Sequence, residues 1–356
     1  MRYLVVKDWE NTHGNHAGMV HLCDMLVEYY PNEYFKICQP INFASNRKNT
    51  IFSKRLRILK NKILKSFFLD YWVKNYMSYC CPMLERLQKG DKVFLLQYCS
   101  DGASQDSLAR YIKKHYEGVT LYAMSHQTPS NYIKAGYNAK KILKWDSYVD
   151  KHILMGTSLA NYFQKCGVNP QKISVGFHYV DNNYYKIQED IISHKRPTII
   201  AIGAMQRDMK LLLDIVNSVS SVDWIICKGM KKVDHLFHGN NVKLVGFVPE
   251  DELRRLMSES DASINVMGDT VGSNVITTSL AMGLVVIASE VGSIRDYIDE
   301  SCGFLCQNTV DSFVQAVNEV VANPDKIVEM RKASLKKVPD LTVEKVHDWF
   351  NSLQNI

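Results

Sequence analysis

The stretch GDTVGSNVITTSLAMGLVVIASEVGSIRDYI, Gly268–Ile298, sets the small residues Gly272 and Ser273 at the start of a helix-like run, Asn274–Met282. Gly283 ends that run before an apolar, β-branched strand, Leu284–Ala288. Small residues at a helix start leave backbone N–H groups free, and the helix dipole makes that end attractive to phosphate. The segment therefore reads as an anion-binding turn. Two cations, Arg207 and Lys210, follow an earlier apolar strand, TIIAI (Thr198–Ile202), across a turn that begins at Gly203. A third apolar run, Val119–Met124, ends close to His126. Ligands in open α/β sheets sit at the carboxyl ends of strands. His126 thus stands where an imidazole could touch a ligand, or where a loop histidine is simply hydrogen-bonded. Near the N-terminus, Gly14 and Gly18 flank His16 in the loop after RYLVVK. A glycine pair is a weak phosphate signal, and a connecting turn explains it equally well.

These residues need elements to position them. Continuous apolar strands read as buried on both faces, as in a parallel sheet. Strands are expected at Arg2–Lys7, Lys92–Gln97, Val119–Met124, His152–Met155, Lys172–Gly176, Thr198–Ile202, Trp224–Cys227, Val242–Phe247, Asp261–Val266 and Leu284–Ala288, with helices between them. That alternation over 356 residues predicts an α/β protein of two Rossmann-like parallel-sheet domains facing across a cleft. Gly156-Thr157-Ser158 is expected to cap a helix running to Cys166. The polar stretch Gln188–Arg196, ahead of Pro197, reads as the linker. The expected division is residues 1–187, residues 197–340, and a terminal helix within 341–356.

Composition narrows the function classes. A net charge of +6 is too mild to argue for nucleic acid. No window approaches the 18 or so apolar residues of a membrane span, and the N-terminus lacks a signal-peptide pattern. Nine cysteines without a CxxC spacing read as reduced thiols. The expected location is the cytoplasm. Asn46–Lys65 carries eight basic residues and no acidic one, with apolar residues interleaved and Phe67, Phe68, Tyr71 and Trp72 close behind. It reads either as a basic amphipathic helix in peripheral contact with the inner face of an anionic membrane, or as a solvated helix packed on the sheet.

Ser279-Leu280-Ala281-Met282-Gly283, then Val285–Ser289, then Val291-Gly292-Ser293 resemble the nucleotide-sugar-binding core of family 4 glycosyltransferases (glycosyl transferases group 1), which have the GT-B fold. The resemblance covers about Asp150–Ala322 and is architectural before that. It implies that Arg207 and Lys210 hold the diphosphate of a nucleotide sugar and that His126 contacts the donor sugar or diphosphate, making these three the expected catalytic set. It implies donor contacts at Gly203, Lys228, Val248, Thr270, Gly272, Ser273, Asn274, Val275 and Thr278, and an acceptor-side loop at Gly14 and His16. Asp181 falls on an acid of the passage that closes the first domain, where a structural role is expected, and Tyr179 stands where glycine is common. The terminal helix is expected to cross back onto the first domain.

One departure matters. Thr278 and Thr270 stand where the family usually has glutamates. A threonine hydroxyl can bond a ligand, but without the charge assistance that makes such a bond roughly twice as strong. Asp269 could replace the first acid with a one-residue shift, leaving Thr277 at the second position. The resemblance implies transfer of a sugar from a nucleoside-diphosphate sugar to a saccharide or lipid-linked acceptor, retaining, in surface polysaccharide or glycolipid synthesis. No cofactor and no metal are expected, because the sequence has no Asp-x-Asp motif and no clustered metal ligands, and side-chain cations can stabilise the leaving phosphate. The missing acids keep a second reading open: a catalytically silent GT-B protein that binds a partner enzyme or a nucleotide sugar. A GT-B sugar-nucleotide epimerase is the third, and would need several acid/base residues in the cleft.

Overall fold

The computed structural model describes residues 1–9, 14–41, 59–61, 63–99, 103–187, 190–192, 194–203, 206–229, 236–237 and 239–353. Among these, two six-stranded sheets form. The first holds β1 (Arg2–Lys7), β2 (Tyr34–Gln39), β3 (Lys92–Leu95), β4 (Thr120–Ser125), β5 (Lys151–Met155) and β6 (Ile173–Gly176), in the order β2-β1-β3-β4-β5-β6. The second holds β7 (Thr198–Ile202), β8 (Asp223–Cys227), β9 (Val242–Val245), β10 (Ala262–Asn265), β11 (Val285–Ser289) and β12 (Gly303–Cys306), in the order β12-β11-β10-β7-β8-β9. Every pairing is parallel. Strand β2 is not among the expected strands. It lies at a sheet edge with most residues half-buried, so it lacks the unbroken apolar run that marks a central strand.

The two sheet orders place the useful ends. Strand order reverses between β1 and β3 and again between β7 and β10, and a crevice opens at the carboxyl ends of such a pair. In the second sheet that crevice lies between the turn after β7 and the loop after β10. All four residues of β10 are buried, including the polar Ser263 and Asn265. A buried carboxamide is costly unless it is hydrogen-bonded, so Asn265 must have a partner there.

The helix Val343–Ser352 packs on the first sheet. The Phe350 ring stacks on Phe94 at 4.4 Å, and Trp349 Nε1 donates to Ser174 Oγ at 2.9 Å. A Cβ on Gly176 would lie 2.0 Å from the Trp349 ring, so only glycine admits that approach. The helix Thr157–Lys165 has no side-chain cap of its own, contrary to the expectation for Gly156-Thr157-Ser158. Asp296 of the second domain supplies it, accepting from Thr157 N at 2.7 Å and Thr157 Oγ1 at 2.8 Å, while Ser293 Oγ accepts from Ser158 N at 2.9 Å.

Most of Asn46–Lys65, including Lys54, Arg55 and Arg57, lies outside the described residues. Residues 59–61 and 63–67 are helical. Phe67 is 79%, Phe68 57% and Tyr71 54% exposed, whereas Trp72 turns inward at 5%. The Lys65 ammonium lies 5.0 Å over the Trp72 ring and donates to Ser104 Oγ at 2.7 Å. This lysine serves the fold rather than an outer surface. Among the described residues no helix is long and apolar enough to cross a membrane.

Candidate functional site

The turn after β7 carries Arg207 into the crevice. Gln206 adopts φ +57°, and Arg207 pairs with Met267 in an isolated antiparallel bridge, which fastens the turn to the end of β10. Arg207 Nε donates to Ile202 O at 3.3 Å and NH2 donates to Asn265 Oδ1 at 2.8 Å. Asn265 Nδ2 in turn donates to Ser263 Oγ at 3.2 Å. The buried polar residues of β10 thus exist to hold a guanidinium. The third nitrogen, NH1, is buried without a partner. Burial pulls the Arg207 pKa down to about 10, so the side chain stays charged at neutral pH. Among the described residues no carboxylate forms an ion pair with it. Arg207 as a whole is half-buried, but a guanidinium nitrogen shut from water without a partner is costly, and an anionic ligand would satisfy it.

Two imidazoles come from the carboxyl ends of the first sheet. His126 follows β4, and its Nδ1 is buried without a partner. His178 follows β6 and is 8% exposed, with neither ring nitrogen partnered. Its backbone N–H donates to Tyr297 Oη at 2.9 Å. Burial, reinforced by the neighbouring His126 and opposed by Asn274, lowers the His178 pKa to about 3. Burial also lowers that of His126. Both rings are therefore neutral at physiological pH and can each donate and accept. Asn274 Nδ2 donates to Ala17 O at 2.8 Å, leaving its Oδ1 buried and unpartnered. Gln206 Nε2 donates to Thr128 Oγ1 at 3.3 Å and ties the β7 turn to the β4 turn. Orphaned polar atoms are rare in protein interiors. Here Arg207, His126, His178 and Asn274 all carry them at the junction of the two domains. His178 is the residue that sequence reasoning missed. Its signal was a histidine on the crossing segment, three positions before the acid that drew attention.

The other expected contacts divide. Gly203 (φ +85°) lies beside Val275, whose side chain is 3.8 Å from where a Cβ would stand. Gly272 (φ +89°) is required, since a Cβ there would lie 2.3 Å from the Tyr297 ring. Ser273 caps the helix Asn274–Ala281 by accepting from Ile276 N at 3.4 Å. Lys210 is exposed rather than drawn in beside Arg207. It is the second residue of the helix Met209–Ser218, whose first N–H groups are capped by the Asp208 carboxylate. Lys228 and Val248 are half-buried beyond the ends of β8 and β9.

The two threonine hydroxyls each make a local hydrogen bond to the backbone. Thr278 Oγ1 donates to Asn274 O at 2.7 Å within its own helix, a common back-bond for threonine. Thr270 Oγ1 accepts from Gly272 N at 3.0 Å. The shifted candidate, Asp269, accepts from Ser130 N at 3.0 Å and so serves a helix of the first domain.

On the acceptor side, Gly14 is exposed. His16 is locked. Its Nδ1 and the Nε2 of His21 each lie 2.9 Å from Asp181 Oδ2, and its ring stacks on Tyr184 at 3.7 Å. Its backbone N–H donates to Glu250 Oε2 of the second domain at 2.7 Å. The sequence shows no cluster of metal-ligating types, yet the fold assembles His16, His21 and Asp181 with one ligand atom each, all within 4.8 Å of one another.

The architecture is similar to that of several solved structures. Anabaena HepE in complex with UDP and glucose superposes with a TM-score of 0.70 at 14% identity, over 99% of this chain and 100% of that one. The fold is GT-B. Two further GT-B neighbours are sucrose-phosphate synthase from Thermosynechococcus elongatus (TM-score 0.73, 11% identity, 99% and 98% covered) and the lipopolysaccharide outer core galactosyltransferase WaaB (0.65, 14%, 99% and 100%). Residues 196–323, most of the second GT-B domain, match the family described as Glycosyl transferases group 1. No curated protein sequence matches the chain. Arg207, Asn265, Gly272 and Asn274 all fall inside the matched segment of this GT-B chain.

Proposed function

We propose that the protein is a glycosyltransferase that takes its sugar from a nucleoside-diphosphate donor, with Arg207 as the cation for the leaving diphosphate. The observation that carries this reading is a half-buried guanidinium whose inner nitrogen is shut from water without a partner, with no carboxylate paired to it among the described residues. As the bond between the anomeric carbon and the diphosphate oxygen breaks, negative charge grows on the leaving group. A preorganised N–H donor in a dry site stabilises that charge where it develops. His126, His178 and Asn274 supply neutral donors and acceptors that suit sugar hydroxyls. Positioning of donor against acceptor carries much of the rate. HepE was solved with UDP and glucose, which makes UDP the first nucleotide to test. A saccharide or lipid-linked acceptor and a retaining outcome complete the proposal.

The test is hydrolysis of nucleotide sugars without acceptor. Arg207→Ala is expected to lower kcat/KM by roughly 100-fold or more. Wild-type turnover in a folded Arg207→Ala protein removes the assignment. A second reading, binding without turnover, is favoured by the engagement of both Thr278 and Thr270 with the backbone. It predicts that UDP binds while no UDP-sugar is hydrolysed.

Peripheral membrane contact is part of the same proposal. The exposed Phe67, Phe68 and Tyr71 follow the basic segment Asn46–Lys65. Each basic residue near an anionic leaflet contributes about 1 kcal/mol, screened by salt. Co-sedimentation with anionic vesicles at low salt and release at high salt is the expected result. No binding at low salt removes the membrane from the proposal.

A further inference from the structure

We propose that His16, His21 and Asp181 form a binding site for a divalent transition-metal ion of the zinc class, at the hinge between the two domains. The inference rests on side-chain geometry that the glycosyltransferase reading does not use, so either can fail without the other.

The donor set selects the ion. Two imidazole nitrogens and one carboxylate oxygen suit Zn²⁺, Co²⁺ or Ni²⁺, whereas Mg²⁺ and Ca²⁺ favour oxygen alone. A tetrahedral cation with bonds of about 2.1 Å holds neighbouring ligand atoms about 3.4 Å apart. Both nitrogens lie 2.9 Å from Asp181 Oδ2, and all three ligand atoms fall within 4.8 Å. Small movements would admit the ion among them and leave further coordination positions open to water.

The surroundings orient the ligands, as outer partners do in metal sites. Asp181 is buried, and its Oδ1 accepts from Asn183 N and Tyr184 N, both at 3.1 Å. That leaves Oδ2 turned to the histidines. The His16 ring lies flat on Tyr184, whose hydroxyl donates to Asp251 Oδ1 at 2.7 Å. Asp181, Glu250 and Asp251 outnumber the cation Arg254, which lies over the Tyr184 ring at 4.4 Å. The locality therefore favours added positive charge. The His16 side chain is 37% exposed, which provides an entry path.

The position suggests what the ion would do. His16 precedes the helix Met19–Tyr29, His21 lies on it, and Asp181 belongs to the segment that crosses to the second domain. His16 N–H already reaches Glu250. An ion here would fasten first-domain helix, crossing segment and second domain at one point, beside Ala17, whose carbonyl accepts from Asn274.

A protonated histidine beside Asp181 can hold the same geometry without any ion, so the experiment must separate the two. Co²⁺ is titrated into the full-length protein and followed by visible d–d absorption, with Zn²⁺ competition measured by calorimetry. One equivalent is expected to bind at micromolar strength or better, without the thiolate charge-transfer band that binding to the cysteines would give. His16→Ala and His21→Ala are each expected to weaken binding by roughly 100-fold or more. Because the His16 side chain is partly exposed, His16→Ala is the variant least prone to misfolding. Absence of one-equivalent binding to the wild type, or undiminished binding in both variants, overturns the proposal and leaves a hydrogen-bonded His–Asp cluster.

Discussion

Each end of the second sheet holds an arginine, Arg331 buried and Arg207 half-buried with one inward nitrogen, and the two are treated in opposite ways. At the amino ends, Arg331 NH1 meets Asp261 Oδ1 at 2.9 Å and Nε donates to Gly283 O at 2.9 Å. Asp261 also takes His194 Nδ1 at 2.7 Å and Thr198 N at 2.9 Å. Burial lowers the Arg331 pKa, and the Asp261 charge opposes that shift. At the carboxyl ends, Arg207 has only an amide and a carbonyl, with one nitrogen orphaned and no acid. The first network is complete within the chain, so its purpose is structural. The second is incomplete, so it asks for a ligand. A buried charge alone does not separate structure from function; its partner list does.

The largest expected effect tests the complete network. Arg331→Ala leaves Asp261 buried without its cation and is expected to cost about 3–5 kcal/mol of stability, read from urea unfolding. A loss below about 1 kcal/mol would erase the contrast between the two ends.

The next effect concerns pH. The folded His178 pKa, about 3, lies below its ordinary 6.5. Between these values the unfolded chain binds a proton that the folded chain does not. Stability from this group is therefore fully present above pH 6.5 and declines as pH falls towards 3. His126 and His152, also lowered by burial, act in the same direction. His178→Gln is expected to flatten the fall in unfolding free energy between pH 6.5 and 4. An unchanged slope would mean that His178 is not held neutral in the folded protein.

The smallest effect lies where one domain completes the other. Asp296→Ala removes the cap on the helix Thr157–Lys165 and is expected to cost about 1 kcal/mol, since the rest of the cap region, Ser158 to Ser293, remains. A loss as large as that of Arg331→Ala would show the domain junction to be the main support of the fold.

Much of this arrangement was legible in the residues. Most parallel strands are marked as apolar runs, and the two edge strands β2 and β12, each with half-buried residues, are not among them. Arg207 is found in its turn after β7, and Gly272, read as a small residue at a helix start, proves to be required by the close approach of Tyr297. Other features were invisible for physical reasons. Whether Thr278 offers its hydroxyl to a ligand or to the carbonyl four residues back is decided by a side-chain rotation, which helical periodicity does not report. Asp296 caps a helix 139 residues away. His21 sits among apolar neighbours on its helix and gains a meaning only when Asp181 folds against it. Lys210 shows the converse: a cation in the right turn can still face solvent when the preceding aspartate caps the helix.

The central claim is that Arg207 is held for an anion rather than for the fold. The direct measurement is thermal stability of wild type and Arg207→Met, each with and without UDP. Without nucleotide, Arg207→Met is expected to cost clearly less than Arg331→Ala, about 1–3 kcal/mol at most, because it removes a charge that no described acid balances and leaves only the buried Asn265 Oδ1 without its donor. With UDP, the wild type is expected to gain stability by mass action and the variant to gain little. Equal stabilisation of both proteins by UDP, or a loss on substitution comparable to that of Arg331→Ala, would contradict the claim and make Arg207 a second structural arginine.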